Sequence, residues 1–98
     1  MTPEGKVKKK VVEQLKAAGA YHFFPATHGY GASGVPDIVA CINGRFLGIE
    51  CKTGKNTPTK LQEDNLNRIA KAGGVAVVIN EHNLAELETI ISILRRRK

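Results

Sequence analysis

The sequence predicts an α/β fold, a mixed sheet flanked by helices in the order α-β-β-β-α-β-α. Three observations carry this. Apolar residues recur at helical intervals in three separated stretches, β-rich runs fill the segments between them, and Asn43-Gly44 parts two of those runs by a two-residue turn. With 98 residues the chain is long enough for one hydrophobic core, so a single domain over 1–98 is expected.

Thr2-Pro3-Glu4 has the form of an N-cap, a proline at the first helical position and an acid that complements the helix dipole. Val7, Val11, Val12 and Leu15 follow at helical spacing, with the lysines on the other side, until Gly19. Tyr21 to Phe24 reads as a short strand closed by Pro25. The segment 26–36 holds Gly29, Gly31 and Gly34 with Thr27, His28, Tyr30 and Ser33, a loop composition that leads into Asp37. Asp37 to Ile42 and Arg45 to Lys52 are strands joined by the Asn-Gly turn. Thr57-Pro58 or Thr59 starts a second helix with Leu61, Leu66, Ile69 and Ala70 on one face and Gly73-Gly74 as its stop. Val75 to Ile79 is an unbroken apolar run of the kind buried on both faces of a sheet. Asn83 caps a last helix with Leu84, Leu87, Ile90, Ile91 and Leu94 as its stripe.

Fifteen Lys and Arg against nine Asp and Glu give a net charge of +6 and attract polyanions, nucleic acid first among them. The absence of Trp and a total of five Phe and Tyr argue against an extended aromatic platform for single strands. No apolar run reaches membrane-spanning length and no signal-peptide core is present, so a cytoplasmic protein is expected. Cys41 and Cys51 lack zinc-ligand spacing and read as reduced, buried side chains.

A two-residue turn also sets register. If Ile42 pairs with Arg45, Asp37 lies opposite Glu50, with Cβ atoms roughly 4.5 to 5.5 Å apart. Two facing carboxylates repel unless a cation lies between them. Alternation puts Lys52 on their face and turns Cys51 away. Carboxylate oxygens suit Mg²⁺, and a nearby ammonium can orient water or stabilise charge on a phosphate. The same three charges also make a structural network on a surface hairpin.

Gly34-Val35-Pro36-Asp37, twelve intervening residues and Glu50-Cys51-Lys52 resemble the PD-(D/E)XK nuclease motif. Gly44-Arg45-Phe46 through Ile49-Glu50-Cys51-Lys52-Thr53-Gly54, followed by Pro58-Thr59-Lys60-Leu61-Gln62, is similar to the VRR-NUC branch, with likeness from Thr2 to Gly74. The resemblance implies a restriction-endonuclease-like fold and a DNA endonuclease dependent on Mg²⁺ or Mn²⁺. It makes Asp37 and Glu50 metal ligands, adds the Cys51 carbonyl, and makes Lys52 the catalytic lysine. The family's glutamate on the first helix matches Glu4 better than Glu13, although Glu4 also serves as a first-turn acid. Gln62 matches a glutamine able to hold a water or phosphate, or is simply an exposed helix former.

Lys8, Lys9, Lys55 and Lys60 are expected to hold backbone phosphates, and His28 in the glycine loop is a further base or phosphate ligand to consider. Single-domain relatives of phage type act as homodimers on branched DNA, which implies the same partners here and, for a phage protein, the host cytoplasm. Two other readings stand beside this one: a non-catalytic DNA-binding domain, and a small basic RNA-associated interaction protein.

Overall fold

The computed structural model describes residues 1–26 and 34–96. Helix α1 (Pro3–Ala17) starts where expected: Thr2 is the N-cap, and its hydroxyl accepts the Gly5 N–H at 3.0 Å. Val7, Val11 and Leu15 are buried and Val12 is half-buried. Strand β1 (Tyr21–Phe23) pairs antiparallel with β2 (Ile38–Ile42), which pairs antiparallel with β3 (Arg45–Cys51). Helix α2 (Lys60–Lys71) then crosses back to β4 (Val75–Ile79), parallel to β3, and α3 (Leu84–Arg95) follows. The sheet order is β1-β2-β3-β4, so the expected mixed sheet with flanking helices is present.

One core lies between the sheet and α1 with α3, built from Val7, Val11, Leu15, Ile38, Leu47, Ile49, Ile79, Leu87 and their neighbours. The turn is the one an Asn-Gly pair makes, with Asn43 at φ 53 and Gly44 at φ 79. Asn43 also donates to the carbonyls of Leu94 and Arg96, tying the hairpin to the end of α3.

Several expectations need correction. The run Val75–Ile79 is not buried on both faces. β4 is an edge strand, and only Ile79 is buried because nothing pairs along its outer side among the described residues. On α2 the inward face is Gln62, Asn65, Leu66 and Ile69, all half-buried, whereas Leu61 and Ala70 are exposed. Thr59 is the N-cap, the second of the two starts expected, and the way the helix docks on its Gln62, Asn65, Leu66 and Ile69 face leaves Leu61 outside. Cys41 is exposed, since it alternates with the buried Ala40 and Ile42. Asn83 is the residue before α3, yet its side chain makes no capping bond. It is spent on the preceding turn, accepting from the Asn80 N–H at 2.7 Å and donating to the Val78 carbonyl at 3.0 Å. Phe24, Asp37 and Lys52 each fall one residue outside the strands expected to contain them.

Candidate active site

The hairpin register runs from Ile42↔Arg45 to Ile38↔Ile49, and one further step sets Asp37 against Glu50, as the turn implied. Asp37, however, has left the strand. Successive N–H groups of a strand point to opposite sides, and Lys52 N–H donates to the Ile79 carbonyl at 3.0 Å towards β4. The Cys51 N–H therefore points towards β2, which has already ended. The Asp37 carboxylate fills that place, accepting the Cys51 N–H on Oδ2 at 2.9 Å.

The four carboxylate oxygens have different surroundings. Asp37 Oδ2 has the Cys51 N–H, and Asp37 Oδ1 lies 3.8 Å from Lys8 Nζ. Glu50 Oε2 lies 3.7 Å from Lys52 Nζ. Glu50 Oε1 is buried without a hydrogen-bond partner among the described residues, in a residue only 2% exposed. Burial, then the Asp37 charge, push the Glu50 carboxyl up from 4.5 to about 7, against the opposing pull of Lys52. The nearness of the Asp37 carboxylate, which can share a proton with Glu50 but offers an ionised Glu50 no donor, and the charge of Glu4 add to the rise.

The other expected residues divide. Glu4, half-buried in the first turn of α1, is close enough for its charge to raise both Glu50 and Cys51. Glu13 is exposed further along α1. Among the described residues no three His, Cys, Asp or Glu side chains are placed to share one ion, so Glu4 is a neighbour of the pair. The Cys51 thiol is buried in the core and pushed up to about 12 by desolvation, then by Asp37. It leaves only the backbone of Cys51 available to the site. Gln62 accepts the Thr59 N–H on Oε1 at 2.9 Å while its own N–H donates to the Thr59 hydroxyl, a complete capping box. Lys9 and Lys55 are exposed, and Lys60 pairs with Asp64 at 3.6 Å on the surface of α2. His28 lies outside the described residues.

Two further residues reach the site, one of them unforeseen. Lys8, expected to track phosphates, also stands 3.8 Å from Asp37. Its spacing of four from Glu4 was the signal, since i and i+4 share a helix face. Glu81 accepts the Gly54 N–H on both carboxylate oxygens, at 3.1 and 2.9 Å, and so anchors the turn that follows Lys52. No motif announced it, because the contact joins residues 27 apart.

This arrangement fits a divalent cation. Two acids are held together at a cost, one has a buried oxygen without a partner among the described residues, and hard oxygen donors are what Mg²⁺ or Mn²⁺ accepts, one or two carboxylates at a time. In a strand the N–H and C=O of one residue point to the same side, so the Cys51 carbonyl faces the Asp37 side as well.

Comparison with known proteins agrees with this fold. A solved VRR-NUC domain superposes with a TM-score of 0.78 at 24% identity, over 94% of this chain and 97% of the other. A second VRR-NUC domain protein superposes at 0.67 with 22% identity, over 97% and 87%. The Holliday junction resolvase Hjc of Archaeoglobus fulgidus superposes at 0.57 with 26% identity, over 78% of this chain and 65% of the resolvase. In sequence, the chain is 30% identical over 87 residues to p44 of Acyrthosiphon pisum secondary endosymbiont phage 1, a protein named as a candidate nuclease, covering 86% of this chain and 89% of p44. The family model of the archaeal Holliday junction resolvase (Hjc) matches residues 5–90. A match over that much of the sequence, on a VRR-NUC fold, shows that the chain belongs to the archaeal Holliday junction resolvase family of nucleases.

Proposed function

We propose that this nuclease is a Mg²⁺- or Mn²⁺-dependent endonuclease that hydrolyses phosphodiester bonds of branched DNA, such as Holliday junctions or flaps, as a homodimer. The observation that carries the metal dependence is the buried Oε1 of Glu50, without a partner among the described residues, in a carboxylate whose strand register sets it against Asp37. The substrate class follows the family and the resolvase from Archaeoglobus fulgidus that the fold resembles.

In this reading Asp37, Glu50 and the Cys51 carbonyl would hold the cation, with Glu4 beside them, and when bound it would supply Lewis acidity towards the phosphate and the attacking water. Lys52, turned to the Glu50 side and only 16% exposed at its side chain, orients that water and stabilises charge growing on the phosphate. The water oxygen bonds to phosphorus, its proton leaves to solvent, and the P–O bond to the departing strand breaks. That strand's oxygen is then protonated. Glu81 and Gly54 keep the Lys52 turn in place, while Lys9, Lys55 and Lys60 meet backbone phosphates without reading sequence. Gln62 keeps its helix start rigid and is a weaker candidate for holding a water, because its Oε1 is already engaged.

The test is a panel of labelled duplex, flap, splayed and four-way-junction DNAs incubated with Mg²⁺ or Mn²⁺. We expect cleavage of branched substrates that falls at least about a hundredfold in Asp37→Ala and Lys52→Ala, with folding retained by circular dichroism. If every substrate survives with wild type, the catalytic reading fails.

A further inference from the structure

Beside the acid pair, on the far side of Lys8, a cleft of about 440 Å³ opens between α1 and the segment after β1. Met1, Val12 and Phe24 supply its apolar wall, and Lys8, Lys9 and Lys16 its basic rim. Phe24 is 54% exposed, an unusual position for a large aromatic ring with a core close by. Its ring stands at 86° to that of His22, with centroids 6.1 Å apart. Lys8 belongs to both places, because the side chain that lines this cleft also stands 3.8 Å from Asp37.

We infer that this cleft receives an unpaired nucleotide of the DNA strand next to the scissile phosphate, with its base on Phe24 and its phosphates on the α1 lysines. The inference rests on the nuclease reading above and adds to it a feature of the substrate. Among the described residues that line the cleft, three lysines against one acid, Glu13, give it a positive balance that a phosphate backbone matches. The ring adds something phosphates do not use, an exposed π-face. In an intact duplex the bases are stacked away, so only an unpaired or extruded nucleotide can cover that face. The shared Lys8 makes the cleft continuous with the acids, so a strand held there is led to them. A flap, unlike plain duplex, offers such nucleotides beside the bond to be cut.

The experiment measures binding in EDTA by fluorescence anisotropy, with the full chain as wild type, F24A and K9Q/K16Q. The probes are a blunt duplex and the same duplex carrying a five-nucleotide single-stranded flap with 2-aminopurine at its first unpaired position. We expect wild type to prefer the flap and F24A to lose about tenfold of that preference, within the range of one base stacked on an aromatic ring. The 2-aminopurine quenching seen with wild type should disappear with F24A. K9Q/K16Q should weaken both probes together and flatten the salt dependence. An unchanged flap-to-duplex ratio in F24A, or quenching that persists without the ring, overturns the inference. Because Phe24 is exposed, F24A is expected to fold, which its thermal unfolding checks. Binding is read without cation, so the two readings fail separately. A protein that prefers flaps through Phe24 but cuts nothing refutes only the nuclease assignment, and one that cuts while F24A binds like wild type refutes only the cleft.

Discussion

Glu50 is 2% exposed and faces another carboxylate, which makes it the residue where folding and chemistry conflict most directly. Its carboxyl is raised from 4.5 to about 7 by burial and then by Asp37. Below pH 4.5 it is protonated whether folded or unfolded, and no penalty applies. As pH rises to 7 the unfolded chain ionises first, so the folded state loses stability across that window, on the order of 3 kcal/mol in all. Glu50→Gln mimics the protonated acid. In EDTA at pH 8 we expect it to raise Tm by roughly 12 °C, and at pH 4.5 to do almost nothing, both measured by thermal unfolding. An equal effect at the two pH values would show that the gain is packing and not charge. Lys8 is the second informative residue, because its ammonium opposes any cation brought to Asp37. A partly exposed pair of this kind is worth about 0.2–1 kcal/mol. Lys8→Gln should therefore bind Mn²⁺ up to about fivefold more tightly by titration calorimetry, and equal or weaker binding would rule out its place as counter-ion.

At the scale of elements, the site depends on how α2 is docked. Gly34 has φ +80, and a Cβ there would meet the backbone carbon and oxygen of Leu61 at 2.7 Å. The chain entering Asp37 thus lies against the first turn of α2, and no flexible side-chain end is available to yield. Gly34→Ala combines a left-handed backbone with a backbone collision, on the order of 2 kcal/mol or more. For a domain of this length that lowers Tm by roughly 8 °C or more. Differential scanning calorimetry would check it, and an unchanged Tm would show that the approach is not tight. Capping made the start of α2 partly readable: Thr59 and Gln62 have the spacing of a capping box and form one. The face of α2 was misjudged because its apolar content is low and Gln62 and Asn65 are turned inward with Leu66 and Ile69. Periodicity counts hydrophobes and misses a helix that docks partly through polar side chains.

For the whole molecule, the positive charge and the two sheet edges matter most. β4 ends the sheet with Val75–Val78 half-exposed, and β1 presents Tyr21 and Phe23 at the other end. Edges of this kind are usually covered or paired. The overall dimensions, 37 × 30 × 22 Å, leave little surface for grasping a branched DNA with one copy. In the homodimer proposed above, sedimentation velocity at micromolar concentration should give a mass near twice 10.6 kDa. A monomer at that concentration would count against the dimer.

The acid pair and its lysine were legible in the sequence because the Asn43-Gly44 turn permits one register, and strand alternation then carries position without any tertiary contact. The element order was legible for a similar reason, since caps, prolines and periodicity are local signals. Tertiary structure alone decided which oxygens are satisfied. It brought Lys8 to Asp37, Glu81 to Gly54 and the Cys51 N–H to a carboxylate in place of a missing strand. It also placed Phe24 beside the α1 lysines, and it made Val75–Ile79 an edge strand. These are meetings of residues distant in sequence, set by how helices pack on a sheet, and no local propensity encodes them.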